Sequence, residues 1–200
     1  MKRKMCIFMA VVFLSLAVST QAQECKTHRG AGVLLYSVDG SGQRYVLLGY
    51  ESDRGWSSFG GGPKFLETIN PKRKWCETRK ETATREGVEE MRLLMDPTTL
   101  ARLLQNAYSF PVQATDRDFV TYIVKVEKFN IAPYFSTPVL FMSGFTETTD
   151  IAWIRLDQLV DRANEKILTT STPNGKDLWE KFWTGLSEEL KNSNWKTLFP

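Results

Sequence analysis

The sequence predicts an α/β/α sandwich, a mixed central sheet flanked by helices on both sides. Three observations carry this. Two β-rich runs joined by a short turn open the folded part, a long helical pattern follows, and strand and helix patterns then alternate to the end. At 200 residues the chain suits one domain of ordinary size with a real core.

The elements follow in chain order. Gly32 to Val38 and Gln43 to Tyr50 are apolar, β-rich runs, and Asp39-Gly40-Ser41-Gly42 between them reads as a hairpin loop. Trp56 to Phe59 adds a short strand before Gly60-Gly61-Gly62-Pro63, where the glycines allow unusual backbone angles and close approach of a ligand. Residues from Pro71 to Met95 read as the main helix, with Val88, Met91 and Met95 on one apolar stripe and Ala83 and Thr84 a turn earlier. Asp96-Pro97 is a helix start, Asp as N-cap and Pro at the first helical position, and Leu100, Leu103 and Leu104 form its buried face. Phe119 to Val126 is a strand rich in β-branched and aromatic residues. The stretch from Lys128 to Glu147, with Pro133, Pro138 and Gly144, is long for a loop and suggests either a functional segment or an unrecognised strand. Asp150 to Arg155 reads as a strand and Leu156 to Asn164 as a short helix. After Pro173-Asn174-Gly175 a last helix carries Leu178, Trp179, Phe182, Trp183, Leu186 and Leu190 on one stripe, read as core packing.

The N-terminus reads differently from the rest. Lys2, Arg3 and Lys4 precede an apolar run from Met5 to Val18, and a polar stretch follows. That is the layout of a secretory signal peptide over residues 1–22, cut after Ala22, leaving a single domain over 23–200 that is periplasmic or secreted. An uncleaved anchor is the other reading, but the run is short for a span of about 20 residues, so no stable membrane anchor is expected after cleavage. The formal net charge of +3 falls to zero once Lys2, Arg3 and Lys4 leave. The basicity therefore belongs to the leader, and no nucleic-acid partner is expected. Cys25 and Cys76 remain after cleavage, and in an oxidising compartment they either pair or stay free. The single histidine, His28, reads as a surface residue. It leaves no basis for a zinc site of several His and Cys residues or for a Ser-His-Asp triad.

The chemistry concentrates in Arg85-Glu86-Gly87-Val88-Glu89-Glu90. On a helix Glu86, Glu89 and Glu90 fall at i, i+3 and i+4, so three carboxylates share one face and repel. A hard divalent cation reverses that sign, because Mg²⁺ favours carboxylate oxygens. A solvated helix with an Arg85–Glu89 ion pair is the plainer reading of the same residues.

Residues 77 to 93 resemble the box of the Nudix hydrolase family, G-x5-E-x7-R-E-U-x-E-E-x-G-U, where U is a bulky aliphatic residue. Glu77 stands the required distance before Arg85-Glu86, Glu89-Glu90 supply the acidic pair, and Leu93 fills the last aliphatic position. The Trp56 strand leading to Gly60-Gly61-Gly62 and the segment Ile151 to Leu159 also resemble parts of that family. The resemblance implies a Nudix-type fold and a hydrolase acting on a pyrophosphate bond in a nucleoside diphosphate linked to another moiety, and the leader implies that it is exported. Its partner would be a small-molecule nucleotide and its cofactor Mg²⁺ or Mn²⁺. It implies Glu86 and Glu90 as principal metal ligands with Glu89 adding to the site, Arg85 orienting Glu86, and Gly61 and Gly62 near the metal or phosphates; Glu77 would be a further ligand or a group supporting the ligands, and also reads as a solvated first-turn glutamate. The general base would be a glutamate of the box, such as Glu89, or of a later loop, where Glu147 comes first and Glu127 second; both loop residues also read as plain surface glutamates. Lys72, Arg73 and Lys74 either meet phosphates or form a solvated loop, and Tyr134, Phe135 and Phe141 either stack a base or pack a lid.

Three departures accompany the match. Gly62 lies about nine residues further from Glu77 than the pattern asks, Gly87 replaces an aliphatic residue, and Arg92 replaces a glycine. Gly87 costs about 1 kcal/mol in helix propensity and removes a packing group. With Arg92 in place of glycine, the helix is expected to run on to Met95. These departures leave a second reading, a nucleotide-binding module of the same fold that has lost turnover.

Overall fold

The computed structural model describes residues 28–66, 75–113, 116–136, 148–161, 178–192 and 195–200. The expected leader, Lys72 to Lys74, Phe141 and Glu147 lie outside these residues. Among the described residues no helix is long and apolar enough to cross a membrane.

The expected mixed sheet with flanking helices is present. Strands β1 (Gly30–Val38), β2 (Arg44–Glu51), β3 (Gly55–Ser57) and β4 (Phe59–Gly61) come first. A two-stranded ribbon, β5 (Phe65–Leu66) and β6 (Trp75–Cys76), leads to helix α1 (Arg79–Glu90). Helix α2 (Pro97–Leu103), β7 (Tyr108–Gln113), β8 (Asp116–Lys125) and a short α3 (Ala132–Ser136) follow. The chain continues through β9 (Thr148–Arg155), α4 (Leu156–Asp161), α5 (Glu180–Asn192) and α6 (Trp195–Leu198). In the main sheet β1 runs antiparallel to β2 and β4 on one edge and parallel to β8 on the other. Strand β2 also pairs with β3 and β9, and β7 closes the far edge against β8.

Alternation along β1 explains the layers. Ala31, Val33 and Leu35 join the core under α1 and α2, while Leu34 and Tyr36 join the core under α4, α5 and α6. Both faces are buried, so β1 is apolar at nearly every position, as a central strand covered on both sides must be. The hairpin turn forms as expected. The Asp39 carboxylate accepts from the Ser41 and Gln43 backbone N–H groups, and Gly42 takes φ 83°. Asp96 caps α2 by accepting from Thr99 N at 2.7 Å.

Four expectations are corrected. Helix α1 begins at Arg79, not Pro71, because Thr78 and Glu81 form a reciprocal capping box there. It ends at Glu90 instead of running to Met95, for reasons that involve Arg92 directly. Residues 108–113 form an edge strand that the short, Pro111-containing sequence did not reveal; an edge position tolerates the missing proline N–H. In the last helical stripe Leu178 and Trp179 precede α5, where Leu178 bridges to Trp56 and Trp179 N donates to Trp56 O at 2.8 Å.

Candidate active site

The acidic face of α1 looks onto β4, and glycine sets how closely the two approach. A side chain at Gly32 would put its Cβ 2.6 Å from Phe59 O, and one at Gly60 would put it 2.6 Å from Gly32 Cα. At Gly61 the added carbon would stand 2.5 Å from Glu86 Oε1. The bare backbone therefore lies against the carboxylates, and Gly60 N donates to Glu90 Oε2 at 3.0 Å.

Arg85 is the hub of the cluster. Its Nε and Nη2 donate to the two oxygens of Glu77 at 2.7 and 2.9 Å, a bidentate pair. Its Nη1 donates to Glu86 Oε1 at 2.6 Å and Glu89 Oε2 at 3.0 Å, and its Nη2 also reaches Gly62 O at 2.7 Å. One guanidinium thus fixes two cleft carboxylates relative to the glycine strand. Its pKa is raised, with burial opposed by the stronger combined effect of Glu77 and Glu86.

Glu77 and Glu86 meet this arginine on unequal terms. Glu77 is 4% exposed, and its Oε2 also accepts from Lys64 N at 2.9 Å and Thr82 Oγ1 at 3.2 Å. Burial alone would raise its pKa, but Arg85, Lys64 and Thr82 together hold it below the usual carboxylate range. With both oxygens engaged by donors, Glu77 is placed as the anchor of Arg85, pointing away from a ligating role. Glu86 has a single donor, Arg85, and its Oε2 has none among the described residues. Burial leads there and raises its pKa, against the pull of Arg85.

Glu86, Glu89 and Glu90 all line a cleft of about 580 Å³, together with Gly60, Gly61 and Gly62. That volume is in the range of small-molecule sites. Lys64 Nζ reaches Glu89 Oε2 at 3.3 Å from the cleft rim. Among the described residues no three carboxylate, His or Cys side chains enclose an ion by themselves. The donor set nevertheless fits Mg²⁺ or Mn²⁺, since such ions are commonly held by one or two carboxylates, with waters and substrate phosphates completing the shell. The Glu86 oxygen that has no donor among the described residues is the kind of group a cation would satisfy.

The two substituted positions in the motif are explained by packing. At Gly87 a Cβ would stand 2.7 Å from Val33 Cγ1 and 3.0 Å from Leu100 Cδ2, so α1 lies too close to β1 and α2 for a larger residue. At position 92 the chain makes the left-handed turn without glycine: Arg92 has φ 51° and Leu93 φ 62°. That conformation costs a non-glycine residue roughly 1–2 kcal/mol. Arg92 offsets it by lying 4.0 Å above the Tyr134 ring and donating to Tyr134 O at 3.2 Å and Thr148 O at 3.4 Å. The turn that ends α1 is therefore kept by a side chain in place of a missing one.

Other sequence candidates fall outside the cleft lining. Glu127 and Phe135 are exposed, and Tyr134 is fully buried with its hydroxyl donating to Thr148 O at 2.6 Å. His28 is 6% exposed, which corrects the surface reading. Its Nε2 lies 3.1 Å from Thr82 Oγ1, so a chain of contacts runs from His28 through Thr82 to Glu77. Burial, then Arg79, lowers its pKa, opposed by Glu77 and Asp118. Cys76 is disulfide-bonded, to a partner outside the described residues. Sequence reasoning missed Arg54, Trp179 and Lys181, which line the cleft opposite no motif. The only signal was the presence of Trp179 on the final apolar stripe.

No family model matches the chain, and no curated protein matches it. Among solved structures, a Nudix hydrolase from M. Smegmatis, RenU, is similar at 17% identity, covering 86% of this chain and 88% of that one, with a TM-score of 0.49. A bifunctional NMN adenylyltransferase/ADP ribose pyrophosphatase from Francisella tularensis, complexed with AMP and a Mn ion, is 15% identical; the match covers 82% of this chain and 41% of that one, with a TM-score of 0.44. The C. elegans Ap4A hydrolase is 14% identical over 68% of this chain and 86% of that one, with a TM-score of 0.38. At identities and scores this low, the functional reading rests on the side chains themselves.

Proposed function

We propose that the chain is an exported, metal-dependent pyrophosphohydrolase of the Nudix type, acting on a nucleoside diphosphate linked to another moiety. The observation that carries this is the seating of Glu86 and Glu90 against the bare Gly60-Gly61 backbone, inside a cleft, with Arg85 fixing Glu86 and Glu89. Export is supported by the leader-like residues 1–22 alone.

Mg²⁺ or Mn²⁺, held chiefly by Glu86 and Glu90 with Glu89 beside them, would neutralise the diphosphate and lower the pKa of the attacking water. The chain's own groups do the rest. Arg85 keeps the ligating oxygens aimed through its bonds to Glu86 and Glu89. Glu77 keeps Arg85 in place through the bidentate pair. The glycine strand lets a phosphate approach without a side chain between. In this reading a carboxylate accepts the water proton, Glu89 from the box or Glu147 from the later loop, and a pH–rate profile of Glu147→Gln separates the two.

The test is a panel of nucleotide sugars, ADP-ribose, dinucleotides and NTPs, with Mg²⁺ and Mn²⁺, on protein beginning at Gln23. The expected result is metal-dependent phosphate-bond cleavage in at least one class, absent in Glu90→Gln. A panel that survives intact with both metals overturns the hydrolase reading. One observation favours the second reading, a nucleotide-binding module without turnover. Arg85 and Lys64 already occupy Glu89, and Arg85 also takes one oxygen of Glu86. Calorimetric nucleotide binding without hydrolysis would select it.

A further inference from the structure

The end of the cleft away from the glycine strand has a different chemistry. Trp179 packs against the core beside α5, and both Arg54 and Lys181 lie over its ring, 5.6 and 5.9 Å from the centroid. All three line the same cleft as Glu86 and Glu90. Arg54 is steadied by Glu51, a buried carboxylate 3.2 Å from its Nη1. Lys181 has no carboxylate partner among the described residues. Two cations resting on one indole are favourable neighbours of that ring but repel each other. Asp53 also stands 3.9 Å from Arg54 Nε, so the charge left without a carboxylate among the described residues is that of Lys181.

We propose that Arg54, Lys181 and Trp179 form an anion subsite, so that the preferred substrate carries a second anionic group, a phosphate monoester or carboxylate, beyond the diphosphate at the carboxylate end. This rests on the pyrophosphohydrolase reading and narrows it. Lys181 supplies the uncompensated charge, Arg54 a second donor fork held by Glu51, and Trp179 the rigid platform that keeps both side chains extended towards the ligand. Such a group has two sources in this substrate class. It can sit on the ribose of the nucleoside half or on the linked moiety.

Two substrate pairs separate these sources: ADP-ribose 2′-phosphate against ADP-ribose, and UDP-glucuronate against UDP-glucose, each with Mg²⁺. A charge-assisted contact of this kind corresponds to a KM lower by about tenfold or more for the anionic member. We expect that ratio in at least one pair, its collapse towards one in Lys181→Ala, and its retention in Lys181→Arg. Lys181 is exposed, and a thermal melt of each variant checks that folding is unaffected. A ratio near one in both pairs, or a ratio that survives Lys181→Ala, overturns the subsite. Calorimetry with the same four ligands on Glu90→Gln, with and without Lys181→Ala, reads affinity apart from turnover. No hydrolysis of any ligand, combined with a Kd ratio that Lys181→Ala abolishes, refutes the hydrolase and supports the subsite. Hydrolysis with no preference, in KM or in Kd, does the reverse.

Discussion

Glu77 and Glu86 are nine residues apart in sequence, both buried or nearly so, and both bonded to Arg85, yet their carboxyl groups are displaced in opposite directions. Glu77 has the whole guanidinium fork, a backbone N–H and a hydroxyl. Glu86 has one guanidinium N–H and a neighbouring like charge in Glu89. Burial penalises both; the supply of donors decides the sign. The difference teaches where the fold has spent its hydrogen bonds. The anchor is complete, and the cleft residue is left short.

The largest way to break this comparison is Glu77→Gln. It takes the bidentate partner from Arg85, which keeps Glu86 and Glu89, so the loss is that of charge-assisted hydrogen bonds, about 1.5–3 kcal/mol. The expected outcome in a urea melt is a lowered midpoint with an unchanged slope. The mirror substitution, Glu86→Gln, removes a charge that burial disfavours. It is expected to raise the Tm slightly, by about 1–2 °C, while abolishing metal-dependent turnover. A fall in Tm comparable to that of Glu77→Gln would erase the distinction between the two residues.

Acid sharpens the same contrast. A carboxylate whose folded pKa is depressed stabilises the fold above its ordinary pKa, here 4.5, and that contribution is lost as pH falls through the folded value. Glu77 therefore makes the wild type lose stability more steeply below about pH 4.5 than Glu77→Gln does, and melts from pH 6 to 3 read the slope. At Gly87 the expected effect is on stability alone. Gly87→Ala gains about 1 kcal/mol of helix propensity and loses about 1–3 kcal/mol by pressing on Val33 and Leu100. The net should be a modest destabilisation, seen as a Tm lowered by a few degrees, and a raised Tm would show that α1 can retreat from β1.

Much of this was legible in the sequence because local rules wrote it. The Asp39 turn, the Asp96 cap and the strands β1 and β9 each depend on residues close in the chain, and each formed as expected. The i, i+3, i+4 spacing likewise put three carboxylates on one side of α1, and all three line the cleft. What the sequence hid depended on distant partners. Residues 108–113 became a strand because β8 offered an edge. Arg92 took a glycine's conformation because Tyr134 and Thr148, far along the chain, receive its guanidinium. Gly87 reads as a defect until Val33 and Leu100 are seen pressing on it. His28 and Trp179 became informative only once the fold brought them beside Thr82 and Arg54.

The contact of Gly60 N with Glu90, and of bare Gly61 with Glu86, has one more consequence. One wall of the cleft belongs to the sheet and the other to the helix, and nothing but glycine separates them. The distance between the carboxylate oxygens and the strand is therefore a reading of the gap between two structural layers. A β-carbon at Gly32, on the strand next to Gly60, would push on Phe59 O and Gly60, and the site would register that shift before the core lost its integrity. Selection on chemistry here acts on the thickness of the protein.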